Sequence, residues 1–157
     1  MSTSKSKYES WLHRSMNDPA LSWAHPQSVR RKLVIAMIAL PLCFTAAMWF
    51  LPSIWWFAPL LVLFVPLMGS LNGSIRGLTE LRQHQLDERE GRTRDAAFRK
   101  AFWPMIAIGV AGLFLLMKPG LSVELRAGIG FAAFILTMTM PTLILAWSLP
   151  DDVKDED

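Results

Sequence analysis

The sequence predicts an all-α protein, a bundle of four transmembrane helices with both termini in the cytoplasm and a helical cytoplasmic loop between the second and third helices. Three observations predict this fold. Apolar residues are concentrated in long uncharged runs, basic residues avoid one side of those runs, and tryptophans gather at their ends. Charged residues make up only 18% of the 157 residues, against about 25% in typical soluble domains.

The uncharged runs have the length of membrane spans. No charged residue occurs in residues 33–75, 101–117 or 127–150, and runs of about 17–25 apolar residues match the hydrocarbon thickness of a bilayer. A surface helix of a soluble protein would need a polar face, which these runs lack. The first run is long enough for two helices, with Pro52 and Ser53 at the turn between them. The sequence therefore predicts a membrane domain over residues 33–149, with spans at about 33–51, 54–71, 101–117 and 127–149.

The basic residues predict the orientation of these spans. Nearly all of the 16 Lys and Arg residues lie in the N-terminal segment 1–32 or in the loop 72–100, and one lies in the acidic tail 150–157. The remaining two, Lys118 and Arg126, flank the short connection between the third and fourth spans. Because basic residues beside membrane spans stay on the cytoplasmic side, the N-terminal segment, the loop and the tail are predicted to be cytoplasmic. The predicted location is the plasma membrane.

Two residue types inside the runs support this interpretation. Tryptophan favours the headgroup level of a bilayer because its ring is apolar and its N–H needs a partner. Five of the seven tryptophans stand at predicted span ends: Trp49, Trp55, Trp56, Trp103 and Trp147. Small residues spaced four apart allow helices to pack closely, and such pairs include Ala107/Ala111 and Gly128/Ala132.

The predicted cytoplasmic segments leave alternatives open. The aromatic and apolar residues between Tyr8 and Met16 have helical spacing and could lie on the membrane surface, or the segment could be disordered. In the loop 72–100, opposite charges four residues apart, as in Glu88 and Arg92, favour helix. A break at Gly91 is predicted, and the loop could form a helical hairpin or two extensions of the neighbouring spans.

Chemistry that needs ionisable groups inside the membrane is disfavoured. The predicted spans contain no Asp, Glu, Lys, Arg or His, the residues that mark proton relays and ion paths in membranes. His13, His25 and His84 are isolated in sequence, and the single cysteine, Cys43, lies inside the first span. We therefore predict no catalytic residue, no metal site, no cofactor and no nucleic-acid partner.

Two stretches resemble a known group of proteins. The first comprises residues 86–90 (LDERE), 94–98 (RDAAF) and 101–102 (AF), and the second contains Pro-Thr at 141–142, Leu-Ala-Trp at 145–147 and Pro-Asp at 150–151. They resemble small four-helix integral membrane proteins of actinobacteria, which carry such a cytoplasmic loop and a similar last span. Met140 replaces the leucine of that pattern, and Gly91 lies within the charged loop. The resemblance covers the second half of the chain and implies no activity, since the group has no established function.

These observations predict a non-enzymatic structural or accessory subunit. It would act through protein contacts in the membrane and at the inner face, with the lipid bilayer and a larger membrane complex, or a second copy of itself, as partners. The alternative is an oligomeric passive channel or uncoupled transporter, and a lipid-modifying enzyme at the inner surface is a third hypothesis. The candidate interaction residues are in the charged loop: Asp87, Glu88, Arg89, Arg94 and Asp95.

Overall fold

The computed structural model describes residues 23–50, 55, 57–75, 78–79, 86 and 88–150. The helix or disorder predicted between Tyr8 and Met16, the centre of the loop and the tail from residue 151 onward lie outside these residues. The described chain forms four α-helices and no strand, so the predicted all-α class is confirmed for this part of the protein. The helices are α1 (Gln27–Phe50), α2 (Phe57–Ser74), α3 (Glu88–Leu116) and α4 (Val123–Ser148).

Three of these helices, α1, α3 and α4, are long and apolar enough to cross a membrane. They contain 24, 29 and 26 residues, respectively. Helix α2 has 18 residues, which span about 27 Å at the rise of an α-helix, slightly less than the roughly 30 Å of bilayer hydrocarbon. The length and composition of the three long helices indicate a membrane protein.

Helix α3 does not break at Gly91, so that prediction is wrong. The helix begins at Glu88 and continues through Gly91 into the apolar residues up to Leu116. A glycine costs about 1 kcal/mol of helix propensity relative to alanine. The acidic residues of the first turn, Glu88 and Glu90, favour helix there because they face the positive end of the helix dipole. Residues 88–100 of the loop are thus one continuous extension of the apolar helix.

The connection between α3 and α4 is a short turn. Gly120 has a φ of 82°, a backbone conformation that glycine adopts without the steric penalty of a side chain. Ser122 then caps α4, and its side-chain oxygen accepts a hydrogen bond from the Leu125 N–H at 3.2 Å. A serine cap satisfies an N–H group that has no partner within the helix. The turn and the cap together let α4 pack back along α3.

Helix α4 is the central helix of the bundle, because it packs against α1, α2 and α3. Of the apolar stretch of α4, 50% of the residues are buried, against 33% for α1 and 11% for α3. Glycines allow the closest approaches. A Cβ atom on Gly112 would lie 2.6 Å from the Ala133 Cβ, and one on Gly128 would lie 2.8 Å from the Met48 Sδ. Small residues therefore set the α3–α4 and α1–α4 distances, as such residues commonly do between membrane helices.

Candidate functional site

All four helices contribute to one polar cavity, which we call the end cavity. Helices α1 and α3 begin beside it, and α2 and α4 end beside it. Its volume is about 250 Å³. The lining residues are His25, Arg30, Ser74, Ile75, Leu78, Arg89, Glu90, Thr93, Leu149 and Pro150. The end cavity is therefore the place where the chain brings its four helix ends together.

Arg30 is the buried charge of the end cavity. Its side chain is only 3% exposed and donates hydrogen bonds to the backbone carbonyls of His25, Leu149 and Pro150, the last at 3.0 Å. Gln27, in the first turn of α1, also donates to the Leu149 carbonyl at 3.4 Å. The Leu149 and Pro150 carbonyls lie next to the C-terminal end of α4, where the negative end of the helix dipole favours a cation. Arg30 thus joins the start of α1 to the end of α4.

The sequence contained a signal for the position of Arg30. The buried residues of α1 recur at alternating steps of four and three: Arg30, Val34, Met37, Pro41, Phe44 and Met48. This spacing marks one face of an α-helix, and the face continues past the first uncharged residue, Leu33, back to Arg30. In the sequence, Arg30 served only as one of the basic residues that predict orientation, and its burial was not predicted. Its place on the apolar stripe indicates burial.

The other polar groups of the end cavity are held mainly by backbone. The Ser74 hydroxyl donates to the Leu71 carbonyl at 2.6 Å, and the Thr93 hydroxyl donates to the Arg89 carbonyl at 2.9 Å. The His25 Nε2 atom is buried and has no hydrogen-bond partner among the described residues. The two hydroxyl contacts therefore lie within single helices and leave a polar space between the helix ends.

The candidate interaction residues do not form a single patch. Asp87 lies outside the described residues. Arg89 lines the end cavity, whereas Glu88 is exposed and pairs with Arg92, one turn along α3, at 2.5 Å. Arg94 and Asp95 pair with each other at 3.4 Å, with the Arg94 side chain 15% exposed and the Asp95 side chain 57% exposed. Among the described members of the set, Glu88, Arg89 and Asp95 are exposed.

Further basic residues lie at the same end of the bundle. The Arg31 guanidinium lies over the Trp147 ring, 5.2 Å from its centroid, a cation–π geometry. On α3, Arg99 and Lys100 are exposed.

Within the described part of the chain, no group of three or more His, Cys, Asp or Glu residues could hold a metal ion.

Comparison with known proteins finds no matching family model, no matching curated protein and no matching solved structure.

Proposed function

We propose that this chain is a four-span integral protein of the plasma membrane, with both termini cytoplasmic, that acts as a non-enzymatic structural or accessory subunit. Large apolar side chains on the outside of the bundle support the membrane placement, because soluble monomers rarely expose contiguous apolar patches of this kind. Examples from all four helices are Ile35, Val62, Val65, Phe114 and Phe134. A bilayer would cover them, as it would cover the outer face of α2.

The distribution of charge supports the proposed orientation. Arg30, Arg31 and Lys32 lie in the first turns of α1, and Arg99 and Lys100 lie in the part of α3 before its apolar stretch. Both groups belong to the end of the bundle that contains the end cavity. Lys118 and Arg126 are at the opposite end, around the α3–α4 turn. The more basic end is the one expected in the cytoplasm.

The observation that carries the accessory role is the exposure of α3. Only 11% of its apolar stretch is buried, although it is the longest helix. Its apolar part exposes Phe102, Trp103, Val110, Leu113 and Phe114. Its charged part exposes Glu88 and Asp95 at the inner end. A second membrane protein that packs along α3 could contact both surfaces at once.

Purification of the tagged protein from native membranes in a mild detergent, followed by mass spectrometry, tests this role. We expect a stoichiometric membrane-protein partner. We expect alanine at all five candidate residues to release it: Asp87, Glu88, Arg89, Arg94 and Asp95. The matched control replaces three charged residues at the opposite end, Lys118, Glu124 and Arg126, and should retain the partner. A homo-oligomer that conducts solutes in reconstituted vesicles, or a partner retained by the five-alanine variant, would contradict the proposal.

A further inference from the structure

A second recess lies beside the end cavity, where the last turn of α4 meets α3. Its volume is about 340 Å³. We call it the basic groove, and its lining residues are Arg92, Thr93, Ala96, Ala97, Lys100 and Ser148. We propose that the basic groove binds the phosphate headgroup of an anionic phospholipid from the inner leaflet. This inference rests on the membrane placement proposed above, and it assigns a ligand to Arg92 and Lys100, which are not among the candidate interaction residues.

The charges of the basic groove suit an anion. Lys100 is exposed and forms no ion pair with any described residue. Arg92 pairs with Glu88, but the two side chains are 78% and 82% exposed, and an ion pair so open to water contributes little. Arg92 can therefore exchange this carboxylate for a phosphate. Basic pockets between membrane helices on the cytoplasmic side are known to hold anionic headgroups.

The hydroxyl groups of the basic groove already donate hydrogen bonds to backbone carbonyls, so its cations are the groups left to bind an anion. The Thr93 hydroxyl donates to the Arg89 carbonyl, and the Ser148 hydroxyl donates to the Ile144 carbonyl at 2.7 Å. Neither proton is then available to a phosphate oxygen. Two cations without a carboxylate in the lining favour a lipid whose headgroup has a net negative charge. A zwitterionic lipid would bring its own cation next to them.

The neighbouring aromatic residues place the basic groove at headgroup depth. Trp103, less than one turn beyond Lys100 towards the apolar part of α3, is 73% exposed and meets Phe102 edge to face at 5.6 Å. On the other side of the α4 end, Trp147 lies under Arg31. Tryptophan rings concentrate at the membrane–water interface. Lys100 therefore lies at the depth of lipid phosphates.

Helix α3 also offers a path for an acyl chain below the basic groove. The helical period places Ala107 and Ala111 on the same side of α3 as Lys100, and both alanines are exposed. Their small side chains leave a shallow lane beside two large exposed side chains, Trp103 and Phe114. A cationic groove that continues into an apolar lane matches the shape of a phospholipid better than that of a free phosphate ion.

The test measures which phospholipid stays bound. The protein is reconstituted in vesicles of equimolar phosphatidylglycerol and phosphatidylcholine, extracted in mild detergent, and the lipid per chain is counted by mass spectrometry. We expect the wild type to retain phosphatidylglycerol selectively. Replacing Arg92 and Lys100 by Gln should lower the retained amount roughly 5- to 30-fold, because each basic residue near a membrane surface contributes a factor of about five.

The controls separate the basic groove from general surface charge. Lys118→Gln with Arg126→Gln removes the same charge at the other end and should retain the lipid, and Lys100→Arg should also retain it. Equal retention of both lipids, or equal loss in both double variants, would overturn the inference. Displacement by inorganic phosphate, but not by chloride at equal ionic strength, would assign the groove to free phosphate and overturn the lipid assignment.

A separate test on the same vesicles distinguishes failure of this inference from failure of the proposed function. Alkaline extraction of the vesicles reports whether the protein is inserted in the membrane at all. Release of the protein by alkali would contradict the membrane placement itself. An inserted protein without lipid preference would overturn only the assignment of the basic groove.

Discussion

Burial of the Arg30 side chain is balanced by backbone carbonyls. A buried charge without partners is strongly destabilising, but a guanidinium has five N–H donors in a planar fork. Three of its acceptors are known here, the carbonyls of His25, Leu149 and Pro150. Two of these carbonyls follow α4, where no further helical turn could satisfy them. The Nη2 group of Arg30 and the carbonyls that follow α4 therefore satisfy each other.

Replacement of Arg30 by Met should destabilise the bundle. It removes hydrogen bonds that join α1 to the end of α4, and each bond to a charged group contributes about 1.5–3 kcal/mol. We expect a loss of roughly 2–4 kcal/mol after water re-enters the end cavity, measured by denaturant unfolding in detergent. Arg30→Lys should lose less, because an ammonium retains the charge but not the fork geometry.

The neighbouring Lys32 provides the control for this experiment. Lys32 is exposed, so Lys32→Met removes the same charge without removing the contacts to α4. Equal unfolding midpoints for Arg30→Met and Lys32→Met would show that the described hydrogen bonds of Arg30 do not stabilise the bundle.

At the scale of single helices, α3 combines two environments in one element. Its first turns carry Glu88, Arg92 and Asp95, which are exposed, whereas its later turns are apolar. Gly91 lies in the charged part, and a Cβ atom there would meet nothing within 4 Å. The glycine is therefore required neither for packing nor for a turn.

Gly91→Ala should accordingly stabilise the start of α3. Alanine is favoured over glycine inside a helix by about 0.5–1 kcal/mol, and there is space for the added methyl group. Slower amide hydrogen exchange between residues 88 and 100 would report this gain. Faster exchange in the variant would mean that the helix does break at Gly91, as its sequence suggested.

Two other glycines of α3, Gly112 and Gly109, differ in their contact with α4. Alanine should therefore change the stability of the bundle at one position and not at the other. Gly112→Ala places a Cβ atom 2.6 Å from the Ala133 Cβ, which cannot move without the backbone. We expect a loss of about 1–3 kcal/mol, as for other overpacked interiors. Gly109→Ala, on the same helix, meets nothing within 4 Å and should be neutral or slightly stabilising. Equal unfolding midpoints for the two variants would contradict the α3–α4 packing described here.

The sequence predicted the helices better than their ends. Long uncharged runs reveal apolar helices directly, so the existence of apolar helices near the predicted spans could be anticipated. The start of α1 at Gln27 was not predicted, because the predicted span began at residue 33. For α3, which begins at Glu88, the opposite charges four residues apart had predicted helix ahead of the span at residue 101. Charge marks the edge of the bilayer hydrocarbon, but a backbone helix can continue into water.

The end cavity was beyond sequence reasoning for a different reason. It is built from residues distant in the chain, such as Arg30 and Leu149, and it depends on how the helix ends align. The periodic stripe of α1 could have identified Arg30 as buried, but not its acceptors. The candidate set in the loop was chosen by charge alone. Helix geometry then separates its members, with Arg89 at the end cavity and Glu88 in an exposed pair.

At the scale of the whole molecule, the chain alternates direction. Two helices begin and two helices end at the end cavity, so each helix runs opposite to the one before it in sequence. If all four helices cross a bilayer, this arrangement places the start of α1 and the end of α4 on one side. Helix α2 is the critical element, since it is the shortest and the number of spans depends on whether it crosses.

Labelling single cysteines in right-side-out membrane vesicles tests this topology most directly. The native Cys43, which is exposed on α1, is first replaced by Ser. Single cysteines are then placed at Ser53, before α2, at Glu88, at the start of α3, and at Ser122, before α4. A membrane-impermeant maleimide should label the Ser53 and Ser122 positions at once and the Glu88 position only after permeabilisation. Labelling of positions 53 and 88 from the same side would show that α2 does not cross, and would contradict the four-span account.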